Sequence, residues 1–250
     1  MSKTNYSYVG IAFIVLVFGI LFVPKIINRI SNDDITREES RSKKASTQVD
    51  NNEELAFLEI NGVLKKVPDF SFTDQNGNTI TNKDYDGIVY LVEFFFTTCP
   101  TICPKMSKNL VQIQNNFQGY EDFGVASFTI NPDNDTPEVL KRYAENYGIT
   151  NPNWHLMTGD VNEIYKLANE GFNLYTAADE DAAGGFEHSG NFALIDKNGF
   201  IRSRRDAFGN AMIYYNGIIS EEERYDEDGI EEEISMLKED IVKLLKEDYE

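Results

Sequence analysis

The chain has 250 residues, of which 41% are hydrophobic and 26% are charged, and these values suit a globular domain with a sizeable core. Its formal net charge of −19 argues against nucleic-acid binding, which needs a basic surface. Two cysteines cannot build a disulfide framework, so their number alone does not define the redox compartment.

An uncharged apolar run extends from Tyr8 to Val23. With its flanks it reaches about 20 residues, which is enough to cross a bilayer. No small-residue cleavage site follows and no cysteine is available there for lipidation, so residues 1–27 are predicted as an uncleaved anchor rather than a signal peptide. Basic residues are more numerous after the run than before it, and the positive-inside rule therefore places the C-terminal side in the cytoplasm.

Residues 28–54 are polar and poor in aromatic side chains, which predicts a flexible tether. The folded domain is expected over residues 55–250, where strands alternate with helices around one mixed sheet in an α/β fold. The predicted strands are Phe70–Thr73, Thr79–Thr81, Ile88–Phe96, Phe123–Ile130, Trp154–Met157, Asn191–Ile195 and Phe200–Arg204. The predicted helices are one after the cysteines, one capped by Thr136, one capped by Asp160, and one with an apolar stripe from Ile230 to Leu245.

Cys99 and Cys103 directly follow the apolar strand that ends at Phe96. If both lie on the helix that starts there, positions i and i+4 place the two thiols on one face. A helix N-terminus also favours the thiolate form. Such a pair can close into a disulfide or bind a soft metal ion, whereas the alternative is two reduced core cysteines that happen to be neighbours.

Three segments resemble the motifs of the Sco/SenC family. Residues 95–104 resemble its T-x-C-P-x-x-C-P signature, residues 129–138 its S-V-D-P-x-x-D-T-P-E stretch, and residues 186–199 its D-H-S-x-x-x-x-L-x-D-x-x-G segment. The resemblance runs from about Val67 to Arg205. Thr101 stands where the family often has Asp, and Asn131 replaces another Asp, so two carboxylates near the thiols are missing.

The resemblance implies a thioredoxin-like fold on a membrane tether. Family members bind copper and help to assemble the binuclear copper site of cytochrome c oxidase, and some act as thiol–disulfide reductases. The implied copper ligands are Cys99, Cys103 and His188, and the same cysteines are the implied catalytic thiols. Copper is expected as Cu(I), with Cu(II) as a further option. The implied partners are the copper-bearing oxidase subunit and a copper donor protein.

Copper delivery to the oxidase takes place outside the bacterial cytoplasm. The resemblance therefore implies a single-pass protein of the bacterial inner membrane whose soluble domain faces the periplasm, against the count of basic residues.

The third ligand has two candidates because the chain contains two histidines. His188 follows a glycine-containing loop that leads to a strand, from which its side chain can reach the cysteines, whereas His155 lies in a short apolar strand and is expected to be packed or at the surface. A hydrogen-bonded structural role is the alternative for His188. Glu93 is unusual within an apolar strand, and it is expected either to transfer protons near the thiols or to pair with a lysine at the sheet edge.

Three functions are compatible with these residues. The leading hypothesis is a membrane-tethered copper chaperone, and the second is a thiol–disulfide oxidoreductase that reduces the oxidase subunit without carrying metal. A peroxiredoxin-like peroxidase is a third hypothesis, because a cysteine between a strand and a helix is also typical of that class. His188 separates the first two, since a pure reductase does not need it.

Overall fold

The computed structural model describes residues 54–60, 62–179, 182–206 and 209–247. The predicted anchor, residues 1–27, and nearly all of the predicted tether, residues 28–54, lie outside these ranges. Among the helices of the described ranges, none combines the length and the apolarity that a membrane span requires.

A mixed nine-stranded sheet forms the centre of the domain, in the order β1-β12-β11-β6-β7-β8-β4-β5, with β13 paired to β11. Strands β6, β7 and β8 are parallel, and the other pairs are antiparallel. The strands of this sheet are β1 Ala56–Phe57, β4 Ser71–Asp74, β5 Thr79–Thr81, β6 Val89–Phe95, β7 Phe123–Thr129, β8 Trp154–Thr158, β11 Asn191–Ile195, β12 Ile201–Ser203 and β13 Tyr215–Asn216. Two small hairpins lie outside it, namely β2 Glu59–Ile60 with β3 Val63–Leu64, and β9 Thr176–Ala178 with β10 Phe186–His188.

The helices are α1 Cys103–Asn116, α2 Pro137–Tyr147, α3 Val161–Lys166 and α4 Ile234–Lys246, with a 3₁₀ turn at Asn82–Tyr85 and a π-helical turn at Leu167–Phe172. Local signals explain where they begin and end. Thr136 accepts a hydrogen bond from the Val139 N–H at 3.4 Å, and Asp160 caps α3 in the same way. Gly148 ends α2 with φ at 72°, a conformation that glycine adopts without strain.

The interior strands β6 and β7 are buried along their whole length, as their uninterrupted apolar runs predict for a parallel pair covered on both faces. The predicted hairpin is also present, with Ser71 opposite Thr81 and Gly77 at φ 81° in the turn. The C-terminal helix was predicted too long. Ile230 was placed on its apolar stripe, but α4 begins at Ile234 and Ile230 lies before it with 50% of its surface exposed.

Candidate functional site

The cysteines lie where β6 leaves the sheet and α1 begins. Cys103 is the first residue of α1, whereas Cys99 lies in the turn before it, with its N–H bonded to the Phe96 carbonyl at 3.2 Å. The prediction that both thiols share one helical face was therefore wrong. Pro104 fits the first turn of a helix, so α1 begins at Cys103, whereas Cys99 belongs to the preceding turn that its N–H closes onto the Phe96 carbonyl.

A buried carboxylate fixes the turn that carries Cys99. Asp135 is completely buried, and it accepts hydrogen bonds from the Thr97 N–H at 3.0 Å and from the hydroxyls of Thr97 and Thr129. The Asn134 amide adds a bond of 2.8 Å. The second sequence motif thus holds the first in place. Asp135 was recognised in the sequence as part of the second motif, but no role was predicted for it. No local signal links it to Thr97, which is distant in the sequence.

His188 ends β10 and turns its ring toward Cys103. Its Nε2 lies 3.1 Å from Cys103 Sγ, and its Nδ1 lies 3.2 Å from the Ser189 carbonyl oxygen. A carbonyl oxygen only accepts, so Nδ1 carries the proton and the lone pair of Nε2 faces the sulfur. The Phe96 ring packs edge-on against the imidazole at 5.8 Å between centroids, which restricts its rotation.

The two sulfurs and the histidine nitrogen form one compact donor set. Both thiols are free, and one ligand atom from each of Cys99, Cys103 and His188 lies within 4.8 Å of the others. Two sulfurs and one imidazole nitrogen in such close proximity suit a soft metal ion.

The two thiols have opposite electrostatic environments. The neighbouring Cys103 thiol and then the His188 ring lower the pKa of Cys99 far below that of an ordinary cysteine. Interaction with Cys99 and burial raise the pKa of Cys103. Thr101, where the family often has Asp, places a neutral hydroxyl 3.6 Å from Cys99 Sγ. Cys99 is therefore the thiolate of the pair and Cys103 the protonated partner.

Access to the site differs between the two sulfurs as well. A cavity of about 190 Å³ lies between the cysteine turn and the β9–β10 hairpin, and Cys99 and His188 line it together with the apolar Ile102 and Phe186. Cys99 is 7% exposed, whereas Cys103 is 1% exposed beneath it. A partner that enters this cavity meets the Cys99 sulfur first.

Glu93 lies in the interior strand β6, with 2% of its surface exposed. Ser127 donates a hydrogen bond to its Oε1 at 2.7 Å, and Oε2 has no hydrogen-bond partner among the described residues. Burial raises the pKa of this carboxyl to about 7, although the Ser127 bond and then the nearby His188 oppose the shift. The alternative of a lysine partner at the sheet edge was wrong, because Glu93 lies inside the sheet and its partner is a serine.

The other histidine lies elsewhere in the fold. His155 Nδ1 is 3.2 Å from an Asp74 carboxylate oxygen, and its ring packs edge-on against Tyr85. This agrees with its predicted packed position.

Comparison with known proteins gives a consistent result. A family model described as SCO1/SenC matches residues 60–218. Over 158 residues the chain is 31% identical to the SCO1 protein homolog of Bacillus subtilis (strain 168), which covers 62% of this chain and 80% of that relative.

Solved structures with the same fold point to the same family. A SCO1/SenC family lipoprotein from Bacillus anthracis aligns with a TM-score of 0.59 and 28% identity over 73% of this chain and 96% of that one. BsSco, described as a member of the Sco family of cytochrome c oxidase assembly proteins, aligns with a TM-score of 0.57 and 26% identity over 74% of this chain and 95% of that one. Copper-bound ScoI from Bradyrhizobium japonicum, at 21% identity and a TM-score of 0.51 over 72% of this chain and 99% of that one, shows the fold alone.

The mixed central sheet flanked by helices is the thioredoxin-like fold that was predicted for this chain, and these solved structures share it. The matched model covers well over half of the chain and contains both cysteines and His188. This protein therefore belongs to the SCO1/SenC family.

Proposed function

We propose that this protein binds copper through Cys99, Cys103 and His188 and delivers it during the assembly of cytochrome c oxidase. The observation that carries the proposal is the convergence of two sulfurs and one imidazole nitrogen within 4.8 Å of one another. Membership of a family whose relatives include oxidase assembly proteins, and a copper-bound protein of the same fold, support it.

The donor set suits Cu(I), a soft ion that prefers thiolate and accepts imidazole at low coordination number. Copper is the cargo in this proposal. His188 is held in the tautomer that a ligand needs, because its Nδ1 proton is engaged by the Ser189 carbonyl and Nε2 is left with a lone pair. Cys99 offers a sulfur that is already deprotonated, and Cys103 must release a proton when the ion binds.

Oxidation would control this site directly. A disulfide between Cys99 and Cys103 uses both sulfurs, so the oxidised protein keeps His188 alone from the donor set. The proposed copper-binding state is therefore the reduced one.

A second function is favoured by the different burial of the two thiols. In a thiol–disulfide oxidoreductase, the Cys99 thiolate would attack a disulfide of the partner and form a mixed disulfide, releasing one partner sulfur as thiolate. Cys103 would then lose its proton and attack the Cys99 sulfur, which releases the second partner sulfur. The two electrons pass from the cysteine pair to the partner, which for this protein would be the copper-bearing oxidase subunit.

Removal of His188 separates the two functions. Cu(I) is titrated into the reduced full-length protein against a competing chelator, with His155→Ala as the matched control. We expect His188→Ala to weaken binding by more than about 100-fold, since even an outer-shell change typically costs 10–100-fold. Equal affinity in wild type and His188→Ala would exclude the three-ligand site and leave the oxidoreductase.

The proposal includes a membrane location. Residues 1–27 would anchor the protein in a bacterial inner membrane, residues 28–54 would tether it, and residues 55–250 would form the copper-binding domain in the periplasm. A tether raises the effective concentration of the domain near a membrane-bound oxidase and near a copper donor protein. A topology reporter fused after Glu250 tests this orientation. Activity of a reporter that works only in the cytoplasm would show that the domain faces the cytoplasm instead.

A further inference from the structure

A segment after the last matched motif lies beside the site. We call residues 215–223 the flank segment; it includes β13, and the matched family model ends inside it, at residue 218. β13 pairs with β11, placing Tyr215 opposite Phe192. The Gly217 N–H donates a hydrogen bond of 2.8 Å to the Gly190 carbonyl. The flank segment is thus bonded to the backbone two residues after His188.

The same glycine is bonded to the helix that begins with Cys103. Asn109 of α1, 1% exposed, donates a hydrogen bond of 2.9 Å from its amide nitrogen to the Gly217 carbonyl. Gly217 therefore joins the two ligand-bearing elements, one through its N–H and one through its C=O. An exposed ion pair of 3.1 Å between Lys105 and Glu223 adds a second connection to α1.

Side-chain packing closes the contact. A Cβ atom on Gly190 would lie 2.2 Å from Ile218 Cδ1 and 2.4 Å from Ile218 Cγ1, with Ile102 Cδ1 at 3.6 Å. No side chain fits at position 190 while Ile218 stays in place. Ile102 directly precedes Cys103, so the side chains of Ile218 and of the residue before α1 both lie against Gly190.

The flank segment is also hydrogen-bonded to α4 and to Glu233, the residue that precedes this helix. The Tyr215 hydroxyl donates 2.8 Å to the buried Asp240, and the Asn216 N–H donates 2.6 Å to Glu233. These bonds give the segment a fixed base, so its contacts with Gly190 and Asn109 can resist displacement.

We propose that the flank segment is a positioning element that sets the separation of His188 from Cys103, through Asn109 on one side and the contact of Ile218 with Gly190 on the other. The functional role of this positioning rests on the proposed copper site. The positioning itself is a property of the metal-free protein. Asn109, Gly190 and Ile218 are positioning residues and touch no copper in this proposal.

A pair of amide variants on one helix tests the α1 side. Asn109→Ala removes the bond to Gly217. Gln114→Ala is the matched control, because Gln114 is 3% exposed on the same helix and its amide bonds Gly148, Thr150 and Asn151 instead. Both changes should lower thermal stability, but Asn109→Ala alone should alter the site.

The readouts are the imidazole ¹⁵N chemical shifts of the reduced, metal-free protein and the Cu(I) affinity by chelator competition. His155 is an internal reference, because it bonds Asp74 rather than a cysteine. We expect Asn109→Ala to shift the His188 nitrogens while His155 stays unchanged. It should weaken Cu(I) binding by about 10-fold, the low end of the range for groups bonded directly to a ligand, because Asn109 acts through Gly217.

A steric variant and its rescue test the other side. Gly190→Ala should shift the His188 signals and weaken Cu(I) binding in the same way, and adding Ile218→Ala, which removes the obstructing atoms, should restore both. Gly159→Ala controls for a similar clash, with a Cβ 2.6 Å from Phe72 Cδ1. It should leave the His188 signals and the affinity as in wild type.

The positioning proposal is overturned if Asn109→Ala and Gly190→Ala leave the His188 signals unchanged, or if Gln114→Ala changes them as much as Asn109→Ala does. If Gly190→Ala does not fold, the Asn109 and Gln114 pair decides alone. A wild-type protein that binds no Cu(I) would refute the proposed function, and the shifts of His188 would still decide the positioning.

Discussion

Replacement of Glu93 by glutamine is expected to flatten the dependence of stability on pH. Burial raises the pKa of Glu93 from the ordinary 4.5 to about 7 in the folded protein. The folded state therefore retains a proton that the unfolded state loses first. The resulting stabilisation is complete below about pH 4.5 and is lost as pH rises to about 7.

The magnitude follows from the size of the shift. Between 4.5 and about 7 the carboxyl contributes about 3 kcal/mol of pH-dependent stability, at about 1.36 kcal/mol for each pKa unit. Glutamine keeps the size of the side chain and can still accept the Ser127 hydrogen bond, but it does not ionise. Between about pH 5 and about pH 8, the unfolding free energy of wild type should thus fall by about 2–3 kcal/mol relative to that of Glu93→Gln.

Urea denaturation of the reduced protein at several pH values measures this difference, and subtraction of the wild-type curve removes contributions from other titrating groups. Glu145→Gln is the control, since that carboxylate is exposed. Parallel pH profiles for Glu93→Gln and wild type would show that Glu93 remains ionised in the fold, with a counter-charge or water that offsets its burial.

Three further outcomes are expected. Asp135→Asn should destabilise the protein by about 2–4 kcal/mol in urea denaturation, because it weakens the charge-assisted bonds that hold Thr97 and Thr129; a loss below about 0.5 kcal/mol would contradict this role. Iodoacetamide near pH 6 should alkylate Cys99 well before Cys103 in the reduced wild-type protein, as a time course of peptide mapping by tandem mass spectrometry would show, and equal rates would contradict the thiolate assignment. Since Cys99 is already deprotonated and Cys103 is not, the logarithm of Cu(I) affinity should rise by about one unit per pH unit around neutrality, whereas a slope near two would mean that both thiols hold protons.

The features that the sequence predicted well depend on neighbouring residues. The hairpin at Asn76-Gly77, the Thr136 cap and the apolar strand Val89–Phe95 each carry a complete signal within a few residues. The prediction failed at Cys99 because α1 begins only at Cys103-Pro104, and Cys99 lies in the turn before it. The spacing of the two cysteines favoured one helix but did not indicate where that helix begins.

The features that sequence patterns did not predict depend on contacts between distant parts of the chain. Asp135 bonds Thr97 across the carboxyl ends of two parallel strands, and Asn109 bonds Gly217 from a helix to a two-residue strand. A strand of two residues is too short to show periodicity, so no sequence pattern around Tyr215 predicted β13 or its pairing with β11. These hydrogen bonds form only when distant segments meet in the fold, so local sequence preference does not reveal them.

The three motifs that carry the family resemblance are separate strings in the sequence, and the fold explains why they occur together. Asp135 of the second motif fixes the turn of the first, and His188 of the third reaches Cys103 of the first. A sequence motif records the atoms that take part but not the support that brings them into contact. In this protein part of that support lies after the last motif, where Gly217 bonds both Gly190 and Asn109. The distance between His188 and Cys103 is therefore a property of the packed domain, and we expect it to change with residues that never approach these two side chains.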